Sequence, residues 1–176
     1  MGDPELISRL AIFSAVSANI LSQLAQHIEV LDCDSGEPVF QEGEEATHLY
    51  GVVDGEVDLI LIARDENLIT DVHEEYTHVQ TETLEREIVV DSIGPGEVFG
   101  WSALTPAGQF TSKAVCAKAS RLLAMPAQSL KNAFREHPQV GYPFMEQLAD
   151  IISKRLANRT DKLLDGWSQA FNVNRI

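Results

Sequence analysis

A glycine-rich turn followed by small residues is the segment of this sequence best suited to binding chemistry. It reads GPGEVFGWSAL over residues 94–104, and Gly100 lets the backbone approach a ligand closely. The short helical turn that follows is expected to comprise Ser102, Ala103 and Leu104. A loop that leads into a helical turn points several backbone N–H groups at one spot, which suits an anion such as a phosphate.

Potential metal ligands are dense in one other segment, which contains Asp71, His73, Glu74, Glu75 and His78. On a strand His73 and Glu75 share one face while His78 falls on the other, so a single metal site requires a turn between them. A solvated acidic ribbon is the favoured interpretation. A metal-dependent enzyme is the alternative, and it requires three or four ligands that converge inside the fold. No Ser/His/Asp or Cys/His order stands out, so we predict no catalytic residue, no metal site and no enzyme activity.

The composition is that of one soluble globular domain with a strongly acidic surface. The chain has 176 residues, of which 44% are hydrophobic, and its formal net charge is -14 at pH 7. Such a surface repels phosphate backbones, which disfavours bulk binding of DNA or RNA. No segment approaches the roughly 20 apolar residues of a membrane span, and the first residues lack a signal-peptide pattern, so we expect a cytoplasmic protein. Cys33 and Cys116 are too few for a disulfide framework and are expected to be reduced thiols.

Short β-prone runs dominate the middle of the chain, and Gly, Pro and Asp separate them. We predict strands over residues 29–33, 38–40, 48–53, 56–62, 86–93, 111–117 and 120–124. Short strands without intervening long helices predict an antiparallel barrel or jelly roll. The pair Asp54 and Gly55 between two apolar runs predicts a two-residue hairpin turn.

Helical periodicity flanks this β region at both ends. Residues 1–28 predict one or two short amphipathic helices. Residues 128–136 predict a short helix that ends at His137 and Pro138. Pro143 is then expected to begin a long helix that runs close to Trp167.

The polar segment 63–85, between the fourth and fifth predicted strands, is too long for a tight turn. Its β-prone residues suggest extended strand, so we expect a protruding, acidic β-ribbon. We predict a single domain that spans the whole chain. Its parts are N-terminal helices at 1–28, a β-roll at 29–125 that carries the ribbon, and C-terminal helices at 127–167.

Two segments of the sequence carry a resemblance to a known family. The first reads GEPVFQEGE over residues 36–44 and HLYGVVDGEV over 48–57, and the second is the glycine-rich segment 94–104. Together they resemble the cyclic nucleotide-binding domain of catabolite activator proteins and of protein kinase A regulatory subunits. The resemblance covers nearly the whole chain. It implies a fold that is mainly β with flanking α: an antiparallel β-roll of jelly-roll type with N-terminal helices and a C-terminal short helix plus long helix.

The resemblance also implies a ligand, cAMP or cGMP, held in the phosphate-binding cassette that residues 94–104 resemble. In the family a Glu after the cassette Gly binds the ribose hydroxyl, and an Arg on the next strand binds the phosphate. Here Trp101 stands at the first position and Thr111 at the second. Loss of the charge-assisted pair weakens binding by several kcal/mol, and loss of the hydroxyl contact weakens it by about 1 to 3 kcal/mol more. Ser112 remains as a hydroxyl contact of the family type.

Two of these positions leave alternatives open. Lys113 projects from the same strand face as Thr111, and it either supplies the missing positive charge or is an exposed or salt-bridged lysine. The ring of Trp101 either forms a stacking surface for a flat ligand or fills the vacated pocket as part of the core. In the second case no cyclic nucleotide site remains.

The long C-terminal helix is expected to serve two purposes. Its apolar stripe, from Phe144 to Leu164, is wider than the barrel needs, so we predict a homodimer through this helix, as in the similar catabolite activators. In that family the helix also reaches the base, and the resemblance places Asn158, Arg159 and Thr160 there. The alternative for Arg159, and for Arg155, is a solvent-facing or salt-bridged side chain.

The predicted function is that of a non-catalytic small-ligand sensor and regulatory domain. It couples occupancy by a cyclic nucleotide, or by another small anion, to movement of the C-terminal helices. No DNA-reading helix-turn-helix follows the long helix, so we expect no direct DNA binding and an output through an unidentified partner protein. The alternative is a ligand-free protein-interaction module whose pocket Trp101 fills.

Overall fold

Short N-terminal helices begin the fold. The computed structural model describes residues 3–14, 16–73 and 76–171, and the side chains of residues 3–14, 16–63 and 85–168. Helix α1 spans Pro4–Ser8, a single 3-10 turn spans Ala11–Phe13, and helix α2 spans Ala18–Ala25. The Asp3 side chain accepts a hydrogen bond from the Glu5 amide at 2.9 Å, which satisfies one of the free N–H groups at the start of α1. The predicted short helices are therefore confirmed.

Eight strands follow, and all of their pairings are antiparallel. They are β1 (Glu29–Cys33), β2 (Pro38–Phe40), β3 (His48–Asp54), β4 (Val57–His73), β5 (Tyr76–Ile93), β6 (Val98–Phe99), β7 (Lys113–Cys116) and β8 (Ser120–Pro126). They form one sheet in the order β1-β8-β3-β6 and a second in the order β2-β7-β4-β5. The predicted fold class, a β-roll with flanking helices, is confirmed. The two residues of β6 were not predicted as a strand because so short a run carries no periodicity.

The turn at Gly55 joins the two sheets rather than two paired strands. Strand β3 pairs with β6 and β8, whereas β4 pairs with β5 and β7, so the predicted Asp54-Gly55 hairpin is wrong about the pairing. The turn itself is present, because Gly55 has a φ of 93°. A Cβ atom at this residue would lie 2.6 Å from the carbonyl oxygen of Ala119, so only glycine fits.

Strands β4 and β5 form one long hairpin, paired from Val57 opposite Ile93 to His73 opposite Tyr76, with one register shift between Leu59 and Ile60. The segment 63–85, predicted as a β-ribbon beyond two shorter strands, is formed by the continuation of those two strands. This agrees with the extended conformation that its β-prone residues suggested. The side chains weighed as potential metal ligands lie outside the described side chains: Asp71, His73, Glu74, Glu75 and His78.

The C-terminal helices begin earlier than predicted. Helix α3 spans Ala127–Glu136 and helix α4 spans Pro138–Phe171, so Pro138 occupies the first turn of α4 and Pro143 lies inside it. The prediction that Pro143 begins the long helix is therefore wrong. A proline inside a helix lacks one N–H donor, but the remaining turns of this 34-residue helix continue on both sides of it. None of the described helices is both long and apolar enough to span a bilayer.

Two clusters of buried side chains hold these elements together. One lies between the helices and the first sheet, where Phe13 packs on Phe144 of α4 with ring centroids 5.2 Å apart. The other fills the space between the sheets, where the rings of Phe40 and Phe110 stack at 3.6 Å. The second cluster forms the floor on which the glycine-rich segment rests.

Candidate functional site

The glycine-rich segment forms a tight turn over the second cluster. Residues Trp101–Leu104 make a single 3-10 turn after β6, as predicted, and Gly100 precedes it with a φ of 78°. A Cβ atom at Gly100 would lie 3.2 Å from the carbonyl oxygen of His48 and 3.3 Å from the ring of Phe110. The left-handed conformation and the close approach together require glycine here.

A cavity of about 30 Å³ lies beside this turn. It is lined by Phe40, Leu59, Gly100, Trp101, Ser102, Phe110, Thr111, Ser112 and Arg159. A single water molecule needs roughly 10–15 Å³ of such space, so the cavity has room for one or two waters. Sites for small organic ligands measure roughly 300–1,000 Å³. In this conformation the cavity is therefore too small for a nucleotide.

The polar side chains of the cavity are hydroxyls and one guanidinium. Ser102, Thr111 and Ser112 supply the hydroxyls, and none of the three makes a side-chain hydrogen bond within the described part of the chain. Among the described lining residues there is no carboxylate, although the chain carries a net charge of -14. The local charge is thus positive in an otherwise acidic protein, which favours an anion at this place.

The other residues predicted for the cassette are placed away from the cavity. Ala103 is buried in the core, its carbonyl accepts a hydrogen bond from Lys131 Nζ at 2.8 Å, and Leu104 packs against both buried clusters. The ammonium of Lys113 forms a salt bridge with Glu87 of β5 at 2.9 Å. Lys113 therefore follows the salt-bridged alternative, and its charge is neutralised on the neighbouring strand.

Trp101 is half-buried and contacts helix α4. The guanidinium carbon of Arg155 lies 5.0 Å from the centroid of its ring, within the range of a cation–π interaction. The same guanidinium meets two carboxylates: Nε lies 3.5 Å from Asp91 Oδ2, and Nη2 lies 3.7 Å from Glu97 Oε1. These contacts join the cassette, β5 and α4 at one residue.

The Arg155 side chain is only 8% exposed, and its two terminal nitrogens have no hydrogen-bond partner among the described residues. Burial lowers the pKa of the guanidinium, and the charges of Asp91 and Glu97 oppose that shift. The sequence indicated only a solvent-facing or salt-bridged arginine at this position. Arg155 lies four positions before Arg159 on the same helix, so both side chains are on the same face. That spacing was the one indication in the sequence that Arg155 lies near the cassette.

Of the three residues expected near a base, the structure brings only Arg159 to the cavity. Its side chain lines the cavity wall, and its Nε is buried without a hydrogen-bond partner in the described part of the chain. Asn158 is exposed, and the hydroxyl of Thr160 donates to the Leu156 carbonyl oxygen of its own helix at 2.8 Å. Helix α4 thus contributes one cation to the site.

The cysteines take no part in this site. Both are free thiols, and burial raises the pKa of Cys33 to about 11 and also raises that of Cys116. Their thiolates are scarce at neutral pH, which agrees with the prediction of reduced, unreactive thiols. The described residues contain no group of three or more side chains that could hold a metal ion.

Comparison with known proteins gives the same assignment for the fold. The chain is 26% identical over 163 residues to the CRP-like cAMP-activated global transcriptional regulator of Mycobacterium tuberculosis, a match that covers 92% of this chain and 62% of that protein. It thus spans less than two thirds of the length of this curated relative.

Solved structures are similar over most of the chain. The catabolite activator protein of Thermus thermophilus is 25% identical, with a TM-score of 0.56 over 89% of this chain and 62% of that one. A cyclic nucleotide-binding domain from Methylobacillus flagellatus KT is 14% identical, with a TM-score of 0.66 over 92% of this chain and 80% of that one. The sequence profile of the cyclic nucleotide-binding domain matches residues 31–137, which run from within strand β1 through the cassette to the end of helix α3. With its β-roll, its cassette turn and its flanking helices, this chain belongs to the cyclic nucleotide-binding domain family.

Proposed function

We propose that this domain is a non-catalytic small-ligand sensor, in which occupancy of the cassette cavity changes the position of helix α4. One observation carries the proposal. The cavity wall is shared between the cassette and α4, because Arg159 of α4 lines it together with Trp101 and Ser102. A ligand in the cavity therefore contacts the helix directly.

The size of the cavity supports the coupling. At about 30 Å³ it is roughly one tenth of the smallest ordinary ligand site, so a ligand of nucleotide size requires an expanded conformation. Either Trp101 or helix α4 has to move, and the contact of Trp101 with Arg155 links these two movements. A ligand that binds only the expanded state shifts the population towards it by its difference in affinity.

The family supports a cyclic nucleotide or another small anion as the ligand. The Mycobacterium tuberculosis relative is named as cAMP-activated. In this chain Trp101 and Thr111 replace the two side chains that usually bind the ribose and the phosphate, so cAMP or cGMP is expected to bind weakly at best. The hydroxyls and the guanidinium that remain suit an anion of either kind.

The output is proposed to pass through other protein surfaces. On α4 the first apolar residues, Phe144 and Leu148, are buried, whereas Leu156, Leu163 and Leu164 are exposed. This exposed half supports the proposed homodimer through α4, and a partner protein would contact the dimer. The acidic charge argues against direct DNA binding, and two free thiols suit the reducing cytoplasm.

The second candidate is a ligand-free interaction module whose pocket Trp101 fills. The observation in its favour is again the small cavity, together with the contact that holds the Trp101 ring against Arg155. In this case α4 keeps one position and the domain acts as a fixed scaffold.

Calorimetric titration with cAMP and cGMP tests the proposal, alongside hydrogen exchange along α4. The sensor predicts heat on titration of the natural chain and altered exchange in α4. The double variant Trp101→Glu plus Thr111→Arg restores the family side chains, and Trp101→Gln plus Thr111→Met is the control of similar shape without the charges. If the natural chain binds neither nucleotide and only the charged double variant does, the cyclic nucleotide site is filled as the second candidate proposes, and a sensor would require another anion as its ligand.

A further inference from the structure

A second cavity, of about 420 Å³, lies between the long hairpin and the C-terminal half of α4. We call it the ribbon groove. It is lined by Leu61, Ile88, Val89, Val90, Arg159, Lys162, Leu163, Gly166 and Trp167. Its volume falls within the roughly 300–1,000 Å³ of small-molecule sites, unlike that of the cassette cavity.

The lining of the ribbon groove is apolar with two cations. Ile88 and Leu163 are 50% and 61% exposed, which is unusual for large aliphatic side chains on opposite walls of one cavity. Arg159 and Lys162 supply the charges, and Lys162 Nζ also donates to the Val90 carbonyl oxygen at 3.4 Å. No carboxylate is found among the described lining residues, in a chain whose net charge is -14.

Arg159 lines both the cassette cavity and the ribbon groove, so its side chain is a wall that the two cavities share. Its buried Nε lacks a hydrogen-bond partner among the described residues. A buried donor of this kind is costly unless a ligand or water satisfies it, and a negatively charged acceptor does so best. The cassette cavity on one side of Arg159 contains the hydroxyls, and the ribbon groove on the other side contains the aliphatic side chains.

We propose that the sensor binds a small amphipathic anion, with its acidic group at Arg159 and its apolar body in the ribbon groove. The inference rests on the sensor function proposed above and names its ligand class. The acidic group would accept hydrogen bonds from Arg159 and from the hydroxyls of Ser112 and Ser102. The apolar body would contact Leu163 of α4 and Ile88 of β5 together, and so it would hold the helix against the hairpin.

Charge complementarity favours this occupant over a second copy of the chain. A second copy carries the same net charge of -14, so its approach to the groove is opposed by overall charge repulsion. The homodimer proposed above can use the exposed Leu156 and Leu164, which do not line the groove. A small anion places its charge beside the Nε of Arg159, which is buried and has no hydrogen-bond partner among the described residues. It also covers the apolar walls that water contacts unfavourably.

Dodecanoate is the probe, with dodecan-1-ol as the uncharged control, inorganic phosphate as the anion without an apolar body, and cAMP as the family ligand. All four are titrated by calorimetry below micelle concentrations. We expect dodecanoate to bind more tightly than the other three. Arg159→Gln should weaken it by about ten- to a hundredfold, the usual effect of one charge-assisted hydrogen bond. Lys154→Gln removes the same charge from an exposed site on the same helix and should leave the affinity unchanged.

Leu163→Asp tests the apolar wall, and Leu156→Asp is its control. Both leucines are exposed on α4, but only Leu163 lines the groove. Neither is needed for the core, so both variants are expected to fold. We expect Leu163→Asp to abolish dodecanoate binding and Leu156→Asp to preserve it.

Four results would overturn the inference. Equal losses in Arg159→Gln and Lys154→Gln would mean non-specific attraction. Absence of dodecanoate binding with a dimer that Leu163→Asp dissociates, as seen by light scattering, would assign the groove to a second copy. Binding of cAMP without binding of dodecanoate would refute this ligand class and leave the sensor function intact. If neither ligand binds and hydrogen exchange in α4 is unchanged, the sensor function is refuted as well.

Discussion

The charge cluster that joins α4 to the cassette makes a quantitative prediction, because its two main partners are unequally buried. The Arg155 side chain is 8% exposed and that of Asp91 is 21% exposed, and the closest atoms are 3.5 Å apart. If Asp91 is replaced by Asn, the guanidinium stays buried with Glu97 at 3.7 Å and with Arg159 on the same helix face. We expect a loss of about 3 kcal/mol in the free energy of unfolding, the lower end of the range for breaking a buried pair.

The reverse change is expected to cost less. Arg155→Met keeps an unbranched side chain on the Trp101 ring, and its sulfur makes a favourable aromatic contact that offsets the lost cation–π interaction. It also removes two buried nitrogens that have no hydrogen-bond partner within the described structure. The remaining Asp91 carboxylate is 21% exposed and its Oδ1 keeps the hydrogen bond from the Ser92 amide at 3.1 Å, although its Oδ2 is buried. We therefore expect a loss of about 1 kcal/mol, and a similar value for the double variant.

A double-mutant cycle measures these values. Urea unfolding is followed by circular dichroism for the natural chain, Arg155→Met, Asp91→Asn and the double variant. The expected coupling free energy is about 2–3 kcal/mol, with Asp91→Asn as the more destabilised single variant. Lys118→Met with Glu56→Gln, an exposed pair at 3.0 Å, is the control and should couple by less than about 1 kcal/mol. A coupling at Arg155 no larger than in this control, or a greater loss in Arg155→Met, would refute the argument from burial.

Three further predictions concern local structure. Gly55→Ala should destabilise the domain by about 3 kcal/mol or more, because its Cβ would meet backbone atoms at a positive φ. Gly36→Ala also has a positive φ but has open space around the new Cβ, so it should cost about 1 kcal/mol. Urea unfolding compares the two variants. Gly141→Ala should loosen the packing of α4 on α3, because the new Cβ would lie 2.7 Å from Phe134 Cβ. We expect the free energy of unfolding to fall by about 1–3 kcal/mol, and an unchanged midpoint of thermal unfolding would contradict this. Cys33, with its pKa raised to about 11 from 9.0, should react with a thiol reagent at pH 8 about a hundredfold more slowly than a free cysteine, and a rate equal to that of the unfolded chain would contradict the assigned burial.

Much of the fold was predictable because its indications are local. Alternating apolar residues predicted β1, β2 and β8 close to their observed bounds, and the two glycine-containing motifs indicated the family. The pairing of the strands was harder to predict from the sequence. The turn at Gly55 has the residues of a hairpin, but the choice between pairing β3 with β4 and placing them in different sheets depends on all eight strands.

The start of α4 was mispredicted for a similar reason. Pro138 and Pro143 both fit the first turn of a helix, and local sequence does not choose between them. The packing of Phe144 against Phe13, and of Gly141 against α3, stabilises helix on both sides of Pro143 despite its missing donor. Tertiary contacts here exceed the local preference of one residue.

The sequence by itself determined the family, the cassette turn and the absence of the usual acid and base at Trp101 and Thr111, because each of these depends on residues close together in the chain. Only the tertiary structure decided which charges reach the site. Lys113 lies only twelve positions after Trp101 in the sequence, yet its ammonium pairs with Glu87. Arg155 and Arg159 lie more than fifty positions after Trp101, yet Arg155 contacts its ring and Arg159 lines the same cavity. The physical reason is that a helix carries its side chains to a site according to its position and rotation on the sheet. Those are set by the whole core, and the same placement opens the ribbon groove beside the cassette.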